Sequence, residues 1–348
     1  MADASPSTSA GRLVGKALLL SAPFWALALS YLVLDPFWVL YRYPTFPDHL
    51  ITIPNRDYIS TQMYLNTCRQ RPYRSFILGN SRSLAFRVRD WSHYTGDTLA
   101  FHFDAASESL YGVWTKLRFL EQHAPGLDHV LLVADADLFR QTQDVPAHMT
   151  RKDPRVTGEL PFAFQLSFFK AYATNGFFLD YLRRRFTPGR TPAMAALFES
   201  RRVHYDPLTN DMSLPDIEQE IRTDSLGYYA RNRRLPPRAA RPAVAPAVIG
   251  AVQLAQLEAI RSIFRRRHTR FHLVISPLYD QRKLNPADVA ILLRVFGPAH
   301  VHDFSGANRY TRPAGNYYEQ SHYRPAVGRQ LLRAIYAPTP AASAKLAE

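Results

Sequence analysis

The sequence holds a single cysteine, Cys68, so an intramolecular disulfide and a cysteine-ligated metal site are both excluded. Zinc-finger spacing is absent, as is the aromatic and basic pattern of RNA-binding sheets, so nucleic acid is not expected as a partner. There is no internal repeat. Asp135 and Asp137 have no clustered histidine beside them, so neither a metal nor another cofactor is expected. Acid is scarcer than base: 43 Lys and Arg stand against 29 Asp and Glu, giving a net charge of +14. Such a balance favours anionic neighbours such as lipid headgroups or acidic polysaccharides. What the chain does have is apolar material. Its 348 residues are 47% hydrophobic and 13% aromatic, enough for a substantial core and unlike a disordered chain.

An uncharged run begins at Ala17 and continues through Leu34, eighteen residues between Lys16 and Asp35. That length just spans a bilayer, with Trp25, Tyr31, Phe37, Trp38 and Tyr41 as interfacial aromatics. A transmembrane anchor over 17–38 is therefore expected, after a disordered leader at 1–11. Arg12 and Lys16 precede the run, so the positive-inside rule puts the N-terminus in the cytoplasm and the rest outside. A cleaved signal peptide is the rival reading, but no small-x-small cleavage site follows the run cleanly.

After a Pro- and Tyr-rich connecting stretch (39–73), short apolar runs alternate with helical spacing, the rhythm of βαβ units. Strands are expected at 75–78, 99–103, 129–134, 271–275 and 301–304. The helix after Asn285 has Pro286 at its first position and Gly297 just past its end, and a last helix runs from Pro325 to about Tyr336. The pattern predicts an α/β fold with a flavodoxin-like, doubly wound, parallel five-stranded sheet over 74–336. An insertion at 140–249 exceeds ordinary connections several-fold and reads as a helical subdomain or lid. Its aromatic and basic segment, Phe162 to Phe186 with Arg183, Arg184 and Arg185, either packs on the core or rests on the bilayer. The Pro-rich piece from Leu235 to Pro246 reads as a linker. A disordered tail is expected at 337–348.

In an open parallel sheet ligands bind beyond the carboxyl ends of the strands, which draws attention to Ser81, the Asp104 to Ser107 stretch, Asp135, Asp137, Ser276 to Asp280, and Glu319 to His322. Ser81 follows a strand through Gly79-Asn80 into a helix, where backbone N–H groups can stabilise an oxyanion. A serine needs a base, and His322 has Glu319 three residues earlier to orient it. One of Asp135 and Asp137 is expected to line the pocket and the other to cap the next segment. Arg82 is a candidate to hold an acidic substrate, with an exposed salt bridge as its alternative.

Ile77-Leu78-Gly79-Asn80-Ser81-Arg82 resembles the first block of SGNH/GDSL hydrolases, and Tyr318-Glu319-Gln320-Ser321-His322-Tyr323 resembles their last block, usually Asp-x-x-His. The resemblance covers about 74–140 and 250–336. It implies Ser81 as nucleophile, His322 as base and Glu319 in the acidic position, with Asn80, Arg82, Ala105, Ser107 and Asp135 as substrate or oxyanion candidates. Asn80 stands in place of the usual Asp, and Ala105, Ala106 and Ser107 occupy the loop where the family has its second-block glycine. Asp135 and Asp137 follow the third strand in place of the third-block asparagine. Anchored proteins of this kind resemble the partners of membrane-bound O-acyltransferases. The resemblance thus implies an acyl-ester hydrolase or O-acyltransferase acting outside the cytoplasm on a cell-surface or exported polysaccharide. A catalytically inactive scaffold that binds an anionic glycan or a membrane acyltransferase is the alternative.

Overall fold

The computed structural model describes residues 7–48, 50–174, 176–187, 202–232, 235–241 and 243–336. The first helix, α1 (Ser7–Leu34), starts within the expected leader and stops before the end of the expected anchor. Positions 1–6 of that leader and the tail at 337–348 lie outside the described residues. The segment Gly11–Leu34 is long and apolar enough to cross a membrane. Pro36 disfavours helical backbone at the residue before it, and Asp35 takes a φ of 35°. The Asp35 carboxylate accepts the Val39 and Leu40 N–H groups and the Tyr43 hydroxyl, so residues 35–38 form a capped turn rather than the end of a span.

The connecting stretch is also not a plain connection. It contains α2 (Arg56–Thr67), N-capped by the Asn55 side chain on Tyr58 N–H. Arg56, Asp57, Ser60, Thr61 and Gln62 are buried along with Ile59, Met63 and Tyr64, so the helix lacks the apolar stripe that would betray it in sequence. Its buried charges are matched. Asp57 and Glu108 lie within 2.9 and 2.8 Å of the Lys116 ammonium, and Lys152 lies 2.5 Å from Glu108. Burial would lower the Lys116 pKa, but the two carboxylates outweigh it and hold it above the ordinary value.

The strands β1 (Ser75–Gly79), β2 (Ala100–His102) and β3 (His129–Ala134) alternate with α3 (Val88–Thr95), α4 (Leu110–His123) and α5 (Ala136–Arg140). The insertion holds α6 (Pro154–Thr157), α7 (Pro161–Ala173), α8 (Phe177–Phe186), the small hairpin β4 (His204–Tyr205) and β5 (Met212–Ser213), α9 (Pro215–Thr223) and α10 (Ser225–Asn232). The chain then returns through α11 (Ala251–Arg266), β6 (Arg270–Ile275), α12 (Pro286–Phe296) and β7 (Val301–Asp303). It ends with the hairpin β8 (Tyr317–Glu319) and β9 (His322–Tyr323) and with α13 (Pro325–Tyr336). Within 235–246, Ala245 N–H donates to the Lys283 carbonyl and Lys283 N–H to that of Ala243, so this piece lies against the domain instead of hanging as a linker.

Five strands form one parallel sheet in the order β2-β1-β3-β6-β7. Alternate residues serve its two faces, as pleating requires. Phe76, Leu78, Val130, Leu132, Leu273 and Ile275 join one apolar cluster, while Ile77, Leu131, Val133 and Val274 join the other. A third cluster joins Tyr31, Phe37, Val39 and Tyr58 to Phe164, Phe168, Tyr172, Phe177 and Tyr181 of α7 and α8. The aromatics of α7 and α8 therefore pack on the end of α1 and the turn after it, whereas Tyr205 and Tyr228 of the insertion join the first sheet cluster. The strand order reverses between β1 and β3, and β1 ends two residues before Ser81.

Candidate active site

At the carboxyl end of β1, Gly79 has a φ of +145°, and a Cβ there would stand 2.3 Å from the Val133 carbonyl oxygen. Only glycine lets the strand turn this close to β3. Asn80 then caps a 3-10 turn, Ser81–Ala85, its Oδ1 accepting the Arg82 N–H at 3.1 Å. Ser81 opens that turn, so its own N–H has no acceptor within the turn. Gly328 lets α13 approach the same turn closely, since a Cβ there would stand 2.0 Å from the Ala85 carbonyl oxygen.

The closing hairpin supplies the other groups. Glu319 and His322 face one another across β8 and β9, which brings side chains three residues apart into contact. The Tyr317 hydroxyl donates to the Pro277 carbonyl, and the Tyr323 hydroxyl lies 3.3 Å from Ser276 Oγ; both tie the hairpin to the end of β6. His322 Nε2 lies 2.7 Å from Ser81 Oγ. His322 Nδ1 is hydrogen-bonded to Glu319 Oε1, and Glu319 Oε2 accepts the Ser321 N–H at 2.8 Å. Nδ1 is thereby fixed as the donor to the carboxylate, leaving Nε2 to accept from the serine.

Ser81 and His322 line a cavity of about 310 Å3. Its remaining wall includes Ile53, Pro54, Leu84, Met212, Leu214 and Tyr318, mostly apolar and partly from the insertion. Arg56 lies deep in it, held by both Asp104 oxygens at 3.0 and 2.7 Å and by Asn210. Burial would raise the Asp104 pKa, yet the Arg56 charge holds it below the ordinary carboxylate value. Beside this cavity an open groove of about 590 Å3 shares Arg87, Ser213, Leu214 and Pro325 with it and adds Arg89, Arg222, Arg324 and Arg329. Glu218 in that groove is held below its ordinary pKa because Arg324 overcomes the effect of burial.

The remaining candidates fall in different places. Ser107 lines the cavity with a φ of 49°, a left-handed conformation that glycine adopts more cheaply. Asn80, Ala105 and Asp135 do not line it. The Ala105 N–H donates to the Gly79 carbonyl at 3.2 Å. Neither Asp137 nor Asp135 lines the cavity, and the capping role falls to Asp135. Its Oδ1 caps α5 at Asp137 and Leu138, and its Oδ2 accepts from Asn80 Nδ2 and Arg82 Nη1, each at 2.6 Å. Asp137 is exposed and pairs with Arg140. Arg82 is neither exposed nor turned to the cavity. Burial would lower its pKa, Asp135 more than offsets that, and its Nε reaches the Ser321 carbonyl at 3.3 Å.

A second serine, histidine and aspartate constellation escaped sequence reasoning. Ser83 Oγ lies 2.9 Å from His102 Nε2, and His102 Nδ1 lies 3.0 Å from Asp211 Oδ1. Among the described residues no group of three or more His, Cys, Asp or Glu side chains is arranged to hold a metal ion. No family model matches the chain, and no curated protein or solved structure is significantly similar to it.

Proposed function

We propose that this chain is a serine-dependent acyl-ester enzyme of SGNH/GDSL type, a hydrolase or O-acyltransferase, anchored by α1 with its α/β domain outside the cytoplasm. The observation that carries the reading is the hydrogen-bonded series Ser81, His322, Glu319 at the wall of an accessible cavity. In the reaction, Ser81 Oγ attacks the acyl carbonyl while its proton passes to His322 Nε2. The donor's ester C–O bond breaks, and the leaving oxygen takes that proton. A water or sugar hydroxyl then attacks the acyl-Ser81 ester, giving its proton to His322, and Ser81 is regenerated. Glu319 orients the ring and stabilises the transient imidazolium. The Ser81 N–H and the turn at Ala106-Ser107 are the oxyanion donors of this scheme.

The apolar wall of Ile53, Leu84, Met212 and Leu214 suits an acyl chain, and the arginine-lined groove beside it suits an acceptor on an anionic, exported polysaccharide. A membrane-bound O-acyltransferase fits as the source of the acyl group. One observation favours a second reading, an inactive scaffold for an anionic glycan or such an acyltransferase: the Ala105 N–H is already spent on Gly79, which leaves one fewer donor for an oxyanion.

The test is intact mass of the full-length protein in detergent after exposure to an activated acyl ester. An added acyl group is expected, and none in Ser81→Ala. No adduct on the unaltered protein under any donor removes the covalent scheme and leaves the scaffold.

A further inference from the structure

The insertion carries an apolar face that the catalytic cavity does not use. Its α7 and α8 helices pack inward on the turn after α1, but their contact with α1 extends further. The Phe169 ring lies 5.4 Å from that of Tyr31 and 6.2 Å from that of Phe24, and the Tyr172 hydroxyl lies 3.1 Å from Ser30 Oγ. Phe24 precedes the end of α1 by ten residues, about 15 Å along a helix axis. A bilayer's hydrocarbon core is only about 30 Å thick, so a helix that touches α1 at Phe24 lies below the membrane surface wherever α1 spans.

The outward side chains suit that depth. Lys170 is the only charged residue of α7. Phe162, Leu166, Phe169 and Ala173 recur at helical spacing on the side that meets Phe24, and Phe162 is 75% exposed. On α8, Leu179 and Phe186 are 63% and 74% exposed, and Arg183 and Arg185 are exposed beside them. Large exposed apolar side chains next to a basic cluster match a lipid interface with anionic headgroups.

We propose that the α7 and α8 hairpin is embedded in the outer leaflet of the bilayer that holds α1. Phospholipid acyl chains cover Phe162, Leu179 and Phe186, and anionic headgroups meet Arg183 and Arg185. The inference rests on α1 crossing that bilayer. It also fixes the height of the catalytic cavity. Ile53 and Pro54 of the cavity wall follow Thr52, whose hydroxyl donates to the carbonyl of Pro36, two residues past α1.

The experiment uses the full chain carrying Cys68→Ser, reconstituted in vesicles of phosphatidylcholine and phosphatidylglycerol. Single cysteines replace Phe162, Leu179 or Phe186 in turn, with Leu20 on α1 and Leu226 on α10 as references, and each is spin-labelled. The three hairpin labels are expected to lose collisions with a water-borne nickel reagent and gain collisions with oxygen, as Leu20→Cys does and Leu226→Cys does not. Hairpin labels as wet as Leu226→Cys, with Leu20→Cys in lipid, overturn the inference and leave that face to a protein partner. Labels at Leu20→Cys and the hairpin both in water overturn the anchor as well.

Discussion

Ser81 and Ser83 are two residues apart on one 3-10 turn, and each meets a histidine that meets a carboxylate. Hydrogen-bond geometry alone does not separate the two sets. Access does. With about three residues per turn, positions i and i+2 of a 3-10 turn point in different directions. Ser81 opens on the cavity, whereas Ser83 and His102 are 0% and 1% exposed and, with Asp211, lie outside the cavity lining. The Asp211 carboxylate also accepts the Val88 N–H at 3.0 Å, so the inner set clamps the loop between β4 and β5 onto β2 and the 3-10 turn. A serine, histidine and carboxylate series thus needs a space for substrate before it is a candidate for chemistry.

The pair of serines gives the largest contrast. Ser81→Ala is expected to lower ester turnover by about 10⁴-fold with an unchanged melting temperature. Ser83→Ala is expected to leave turnover close to that of the unaltered protein while costing about 1–3 kcal/mol of stability, because His102 keeps a buried nitrogen without its partner. Denaturant unfolding and initial rates on the same preparations check both. Equal losses of rate would show the two serines working as one unit.

The carboxylates give a smaller contrast. Glu319→Gln, which no longer fixes the His322 tautomer, is expected to lower kcat by about 10³-fold at unchanged stability. Asp211→Asn is expected to reduce stability by about 1–2 kcal/mol with little effect on kcat. A rate loss in Asp211→Asn larger than that in Glu319→Gln would reverse the assignment of roles.

The smallest effect concerns pH, and it keeps loss of base apart from loss of fold. His272 Nδ1 lies 2.8 Å from His302 Nε2. Burial, and then the neighbouring imidazoles, lower the His272 pKa from 6.5 to about 4. Below its ordinary value the unfolded chain takes up a proton that the folded protein refuses, so stability is full above pH 6.5 and declines as pH falls towards 4. Melting temperatures should follow that course and should decline less in His272→Gln; an unchanged decline places the sensitivity elsewhere.

The sheet was legible because short apolar runs such as β3 alternate with helical spacing, and because Asn285, Pro286 and Gly297 bracket α12. The meeting of Ser81 with His322 was legible for a related reason, since one follows the first strand and the other stands just before the last helix. By contrast, α2 hid because it buries Arg56, Asp57, Ser60, Thr61 and Gln62, leaving no apolar period to read. The cavity's other wall hid because Tyr205, Met212 and Leu214 reach Ser81 only through the docking of the insertion, and Ile53 comes from the connecting stretch. Buried ion pairs such as Arg56 with Asp104 and Lys116 with Glu108 are set by three-dimensional proximity, which residue spacing does not encode.

Peptide mapping of the protein acylated by an activated ester addresses the difference between the two serines most directly. One acyl group is expected, on the peptide containing Ser81, at Ser81 and not at Ser83, and none in Glu319→Gln within the same reaction time. An acyl group found on Ser83, or one that persists undiminished in Ser81→Ala, contradicts Ser81 as the nucleophile.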